Sequence, residues 1–95
     1  MREGYFQSRL LKRLRRMFPG CIAEKVEWYT QGYPDVIVLY GDRWAVLECK
    51  RERDAEKQKN QEYYVDMMNR MSFARIVYPE NMEEILHDLQ RAFES

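Results

Sequence analysis

Two acidic residues and a lysine interrupt runs that are otherwise apolar. Asp35 opens the run Asp35-Val36-Ile37-Val38-Leu39-Tyr40, and Glu48 and Lys50 close the run that starts at Arg43. Glu48 and Lys50 are two residues apart, so on a strand they share one face with Trp44 and Val46. Gly41-Asp42 between the runs reads as a hairpin turn. The start of one strand then lies beside the end of the next, and Asp35 comes close to Glu48 and Lys50. A buried carboxylate is costly unless it is paired or binds a metal. Two carboxylates in one site repel each other, and a dication keeps both ionised. With a backbone carbonyl they make a hard-oxygen site suited to Mg²⁺ or Mn²⁺. The ammonium of Lys50 can orient or help deprotonate a metal-bound water and stabilise charge developing on phosphorus.

Two more polar residues fall on apolar faces. Glu3 lies within the apolar arc of the first helix, and Gln61 lies beside Val65 and Met68 in the second. Taken alone, Glu48-x-Lys50 reads more readily as an edge ion pair, and Asp35 as a turn residue after proline. The linked set, with Glu3 and Gln61 facing inward, favours the metal site.

The elements that must position these groups follow from periodicity. Phe6, Leu10, Leu11, Leu14, Met17 and Phe18 fall on one arc of a helix over 2–18, and Pro19-Gly20 stops it. A strand is expected over 22–29, then a loop over 30–34. The strands at 35–40 and 43–50 are apolar on both faces, as in the middle of a sheet covered from two sides. The charged stretch RERDAEKQKN runs into a helix over 55–71, with Tyr64, Val65, Met67, Met68 and Met71 on its buried side. A strand over 73–78 ends at Pro79, and Asn81-x-x-Glu84 resembles a capping box opening a last helix. The predicted order is α-β-β-β-α-β-α. It is an α/β (α+β) fold whose central mixed sheet is flanked by helices, with the second helix as a right-handed crossover.

Composition narrows the functional classes. The chain has 95 residues, 45% apolar and 14% aromatic, enough for one domain with a packed core. No run approaches the ~20 apolar residues of a membrane span, and no signal-peptide core follows the charged first residues. Cys21 and Cys49 show no zinc or disulfide spacing, so a reducing cytoplasm is the expected setting. The lone His87 argues against a histidine base beside a nucleophile. Charge is balanced overall but polarised: Arg2, Arg9, Lys12, Arg13, Arg15 and Arg16 crowd the first helix, whereas Glu80, Glu83, Glu84, Asp88 and Glu94 crowd the last. Such poles fit a polyanion on one side and a partner chain on the other, or simply two solvated helix faces.

Pro34-Asp35 followed by Glu48-Cys49-Lys50 resembles the signature of the PD-(D/E)xK nuclease superfamily. Within it the chain resembles the virus-type replication-repair nuclease (VRR-NUC) family, on Glu3, Gly32-x-Pro34-Asp35, Glu48-x-Lys50 and Gln61-x-x-Tyr64. The match runs over essentially the whole chain. RERDAEKQKN departs from the family by lacking a glycine often present there, so the following helix is expected to start differently. The resemblance implies a restriction-endonuclease-like core and divalent-metal-dependent phosphodiester hydrolysis. Asp35, Glu48 and the Cys49 backbone carbonyl would ligate Mg²⁺ or Mn²⁺, and Lys50 would be the catalytic lysine. Glu3 would hold a metal-bound water or second metal, and Gln61 would orient Lys50 or the attacking water. Stand-alone members, from phages and bacteria, look like homodimers related in architecture to Holliday-junction resolvases, so the resemblance implies a homodimer in the cytoplasm of a bacterial or phage-infected cell.

For DNA, the expected phosphate contacts are Arg9, Lys12, Arg13 and Arg16, with Arg51, Arg53, Lys57 and Lys59 after the catalytic strand. No recognition-helix or zinc-finger pattern is present, so structure-selective cutting is expected over sequence-specific cutting, and the resolvase-like dimer that the resemblance implies makes four-way junctions the expected substrate. Tyr29, Tyr33, Tyr63, Phe73 and the Met67/Met71 edge are candidates for a dimer interface, or ordinary core; Tyr33 is also placed to touch substrate. Other open readings are a flap or repair nuclease, a catalytically silent DNA-binding module of the same fold, and a protein-interaction domain using its charged poles.

Overall fold

The computed structural model describes residues 2–55 and 60–95. The element order is α1 (Glu3–Met17), β1 (Ile22–Lys25), β2 (Val36–Tyr40), β3 (Arg43–Cys49), α2 (Gln61–Met71), β4 (Phe73–Val77) and α3 (Met82–Glu94). This is the order expected from periodicity.

α1 has no β-branched residue, and Phe6, Leu10 and Leu14 form a buried stripe at a spacing of four. Glu3 in its first turn and Arg15 and Arg16 in its last complement the helix dipole. Gly20, at φ 88, lets the chain reverse into β1. The strands form a mixed sheet in the order β1-β2-β3-β4, with β1–β2 and β2–β3 antiparallel and β3–β4 parallel. Tyr40 pairs with Arg43 across a two-residue hairpin whose first position, Gly41, has φ 63. A glycine there matches the backbone twist of a tight hairpin.

The helices cover the sheet unequally. α1 and α3 bury Phe6, Leu10, Leu14, Leu86 and Leu89 on one face against Val36, Val38, Ala45 and Leu47. α2 packs on β3 and β4 over the other face, enclosing Val46, Val65, Met68 and Ala74. β3 is therefore buried on both faces, as expected. β2 is not: Val36 and Val38 are buried, but Leu39 is exposed on the side that α2 leaves open.

The largest departures from expectation are one strand end, one helix start and one cap. β1 ends at Lys25 instead of continuing to residue 29, and Val26 makes one further bond, its N–H donating to the Asp35 carbonyl. α2 starts at Gln61, after Asn60 in the left-handed region at φ 73. Its expected first residues include 56–59, which lie outside the described residues. Asn81 precedes α3 without making the side-chain bond of a capping box. Its amide instead bridges the turn, accepting from the Tyr78 N–H and donating to the Ile76 carbonyl. Among the described residues no helix is long and apolar enough to cross a membrane.

Candidate metal and catalytic centre

The antiparallel pairing of β2 and β3, with Val36 opposite Leu47, sets Asp35 opposite Glu48 when continued by one residue. Both polar ends thus meet at one end of the sheet, beside the start of α2. Asp35 is half-buried, and its two oxygens have separate partners. Oδ1 accepts the Cys49 backbone N–H at 3.0 Å, and Oδ2 accepts Gln7 Nε2 at 3.0 Å. Each oxygen keeps a second lone-pair direction.

Glu48, Lys50 and Gln61 are the buried polar side chains among the described residues, at 4%, 6% and 4% exposure. Gln61 Nε2 donates to Glu48 Oε2 at 2.8 Å, and Lys50 Nζ stands 3.7 Å from the same oxygen. Glu48 Oε1 is buried and, among the described residues, has no hydrogen-bond partner. Burial pushes the Glu48 carboxyl up to about 8; the charge of Asp35 adds to the rise, and Lys50 offsets only part of it. Asp35 is raised as well, chiefly by burial, with the Cys49 amide pulling it back and Glu3 pushing it up. The ammonium of Lys50 therefore does not neutralise the pair.

A divalent cation fits these residues. An orphaned, buried carboxylate oxygen beside a second carboxylate is an acceptor-rich spot short of positive charge, and all its donors are hard oxygens. Among the described residues no three acidic, histidine or cysteine side chains form a ready cluster. The carboxylate pair would need a backbone carbonyl or water to complete a shell, as Mg²⁺ ordinarily does.

Glu3 departs from expectation. It is exposed instead of inward-facing, because it is the first residue of α1 and helix packing begins only at Phe6. Its charge still raises both Asp35 and Glu48, so it stands at the rim of the site. Gln7, one turn further on, is the side chain that reaches Asp35, and it was not anticipated. A neutral residue at the edge of a helical arc breaks no pattern; its spacing of four from Glu3 was the available signal. The Cys49 side chain is buried in the first core cluster, where burial pushes its thiol up, so it is no nucleophile.

The cationic residues divide. Arg9, Lys12 and Arg16 are exposed along α1, and Arg51 and Arg53 are exposed after β3. Arg13 is already engaged: its guanidinium makes a two-pronged bond to Glu83 of α3, at 2.7 and 2.9 Å. The basic and acidic poles therefore meet at this pair instead of serving only separate partners. Lys57 and Lys59 lie outside the described residues. Of the candidate interface groups, Phe73 belongs to the core, whereas Tyr29, Tyr63 and Met71 are exposed. His87 is exposed on α3. No family model matches the chain, and no curated protein or solved structure is significantly similar to it.

Proposed function

We propose that this chain is a divalent-metal-dependent, structure-selective DNA endonuclease with a restriction-endonuclease-like core, of the VRR-NUC type it resembles. One observation carries the reading: Asp35, Glu48 and Lys50 converge at the open end of a hairpin with one Glu48 oxygen buried and unpartnered. A purely structural ion pair would satisfy that oxygen.

Asp35 and Glu48 would hold Mg²⁺ or Mn²⁺, with the Cys49 carbonyl and Glu3, through water, as further contributors. When bound, the ion supplies Lewis-acid polarisation of a phosphoryl oxygen and lowers the pKa of water. The remaining work falls to the chain's own side chains. Gln61 pins Glu48 Oε2, and Oε1 is left without a hydrogen-bond partner among the described residues. Gln7 and the Cys49 amide fix the rotamer of Asp35. Lys50, held beside Glu48, offers its ammonium to charge developing on the scissile phosphate. Arg9, Lys12, Arg16, Arg51 and Arg53 are placed to contact phosphates, which gives affinity with little sequence preference. A homodimer would present two such sites to two strands, as symmetric cutting of a four-way junction requires.

The test is cleavage of a labelled four-way junction, a flap and plain duplex with Mg²⁺, Mn²⁺ or EDTA, alongside sedimentation for the dimer. Metal-dependent cutting that Lys50→Ala abolishes while sparing binding is the expected result. Equal rates for wild type and Lys50→Ala would overturn the assignment.

A further inference from the structure

A connected run of aromatic rings stands beside the carboxylates and has no part in the chemistry described. Trp28 meets Tyr33 edge-on at 5.3 Å, Tyr33 meets Tyr64 at 4.7 Å, and Tyr64 meets Tyr63 at 5.2 Å. The run is tied to the site at both ends. Tyr33 is two residues before Asp35, and Trp28 Nε1 donates to the carbonyl of the intervening Pro34 at 2.6 Å. Tyr64 lies one helical turn after Gln61, the residue bonded to Glu48.

Its inner part is anchored and its outer part is open. Tyr33 packs against the second core cluster, whereas Trp28 is 40% and Tyr63 61% exposed. Rings that only completed a core would not leave their ends in water. The charge beside the run also selects the occupant: Glu27 adjoins Trp28 and is exposed. Carboxylates repel phosphates, so the ledge suits the uncharged face of a nucleobase and not the sugar-phosphate backbone. A base can reach such a face only when it is unpaired and unstacked.

We infer that this aromatic ledge stacks an unpaired base next to the scissile phosphate, so that the substrate class is DNA with single-stranded or splayed nucleotides at the cut. The inference rests on the nuclease reading above for the position of that phosphate. Structure selectivity then has a local origin: a branch point or frayed end supplies the base, and a continuous duplex does not.

Binding in EDTA tests the ledge without requiring cleavage. In a Trp44→Phe background Trp28 is the remaining tryptophan, and its emission is titrated with a mixed-sequence single-stranded 12-mer and with the matching blunt duplex. The single strand should quench Trp28 strongly and the duplex weakly. Tyr63→Ala should weaken single-strand binding about fivefold or more and leave duplex binding unchanged, and Tyr63→Phe should restore it. Tyr63 is exposed, so its truncation leaves the core in place. Equal quenching by both DNAs, no quenching, or an unaffected Tyr63→Ala would overturn the ledge. If cutting with Mg²⁺ persists in that case, the nuclease reading stands alone. Selective quenching with no cutting in any metal would leave the ledge standing and sink the nuclease reading.

Discussion

Replacing Glu48 with glutamine isolates the cost of keeping that carboxylate charged, from burial first and from Asp35 second, which a cation would relieve. Glutamine keeps the shape of the side chain and an acceptor for Gln61 but removes the charge. In the folded chain the Glu48 carboxyl is pushed from 4.5 up to about 8. Its folded pKa therefore lies above the unfolded one, and the native state holds the proton more tightly. The associated stability is fully present below about pH 4.5 and is lost as pH rises through about 8. At about 1.4 kcal/mol per unit the whole shift corresponds to roughly 5 kcal/mol. Relaxation and water entry, expressed as an effective dielectric of about 20, leave roughly 2–3 kcal/mol. For a domain of this size that is on the order of 10 °C in melting temperature. The new amide has an unmet donor of its own, but that cost does not change with pH. The slope is what discriminates.

The assay is thermal unfolding by circular dichroism from pH 5 to 9 in EDTA. Wild type should lose stability steadily from pH 5 to about 8 and level off above it, and Glu48→Gln should be much flatter. Mn²⁺ at pH 9 should restore wild type and leave the variant unmoved. Parallel curves for the two proteins would refute the reasoning, because burial and the Asp35 charge would then not be holding a proton on Glu48.

Three further outcomes follow from the same geometry. Calorimetric titration with Mn²⁺ at pH 7, in buffers of different ionisation enthalpy, should show release of close to one proton per ion, declining as pH rises through about 8, and Asp35→Asn should remove the heat. Gln7→Ala should lower Mn²⁺ affinity several-fold while shifting the melting temperature only slightly, because it frees the Asp35 rotamer without opening the core; unchanged affinity would remove Gln7 from the site. Arg16→Ala should weaken DNA binding and reduce its log–log salt slope by about 0.9. Arg13→Ala should do neither, since Glu83 already occupies its guanidinium, and filter binding across a salt series separates the two variants.

The parts of the site that could be read from the residues are those set by short-range rules. A two-residue turn and the period of two along strands are enough to bring Asp35 opposite Glu48 and to put Lys50 on the same face. Gln61 was legible because an amide on an apolar arc is a break in pattern. The parts that escaped depend on distant partners or on where packing starts. Arg13 looked like its neighbours because Glu83 is seventy residues away in the chain. Glu3 lay on the correct arc but before the first packed turn, so its direction depended on how far α1 overhangs the sheet. β2 seemed covered on both sides because its own residues are apolar, and only the placement of α2 on β3 and β4 leaves Leu39 open. The same logic explains why Asp35 and Glu48 differ. Asp35, at the entry of its strand, draws two donors from the surrounding chain, whereas Glu48, inside β3 beside Gln61 and Lys50, keeps one oxygen unmet among the described residues. That inequality assigns Asp35 the better-fixed position and Glu48 the greater stake in a cation. Loss of Glu48 should therefore cost more metal affinity than loss of Asp35's partner Gln7.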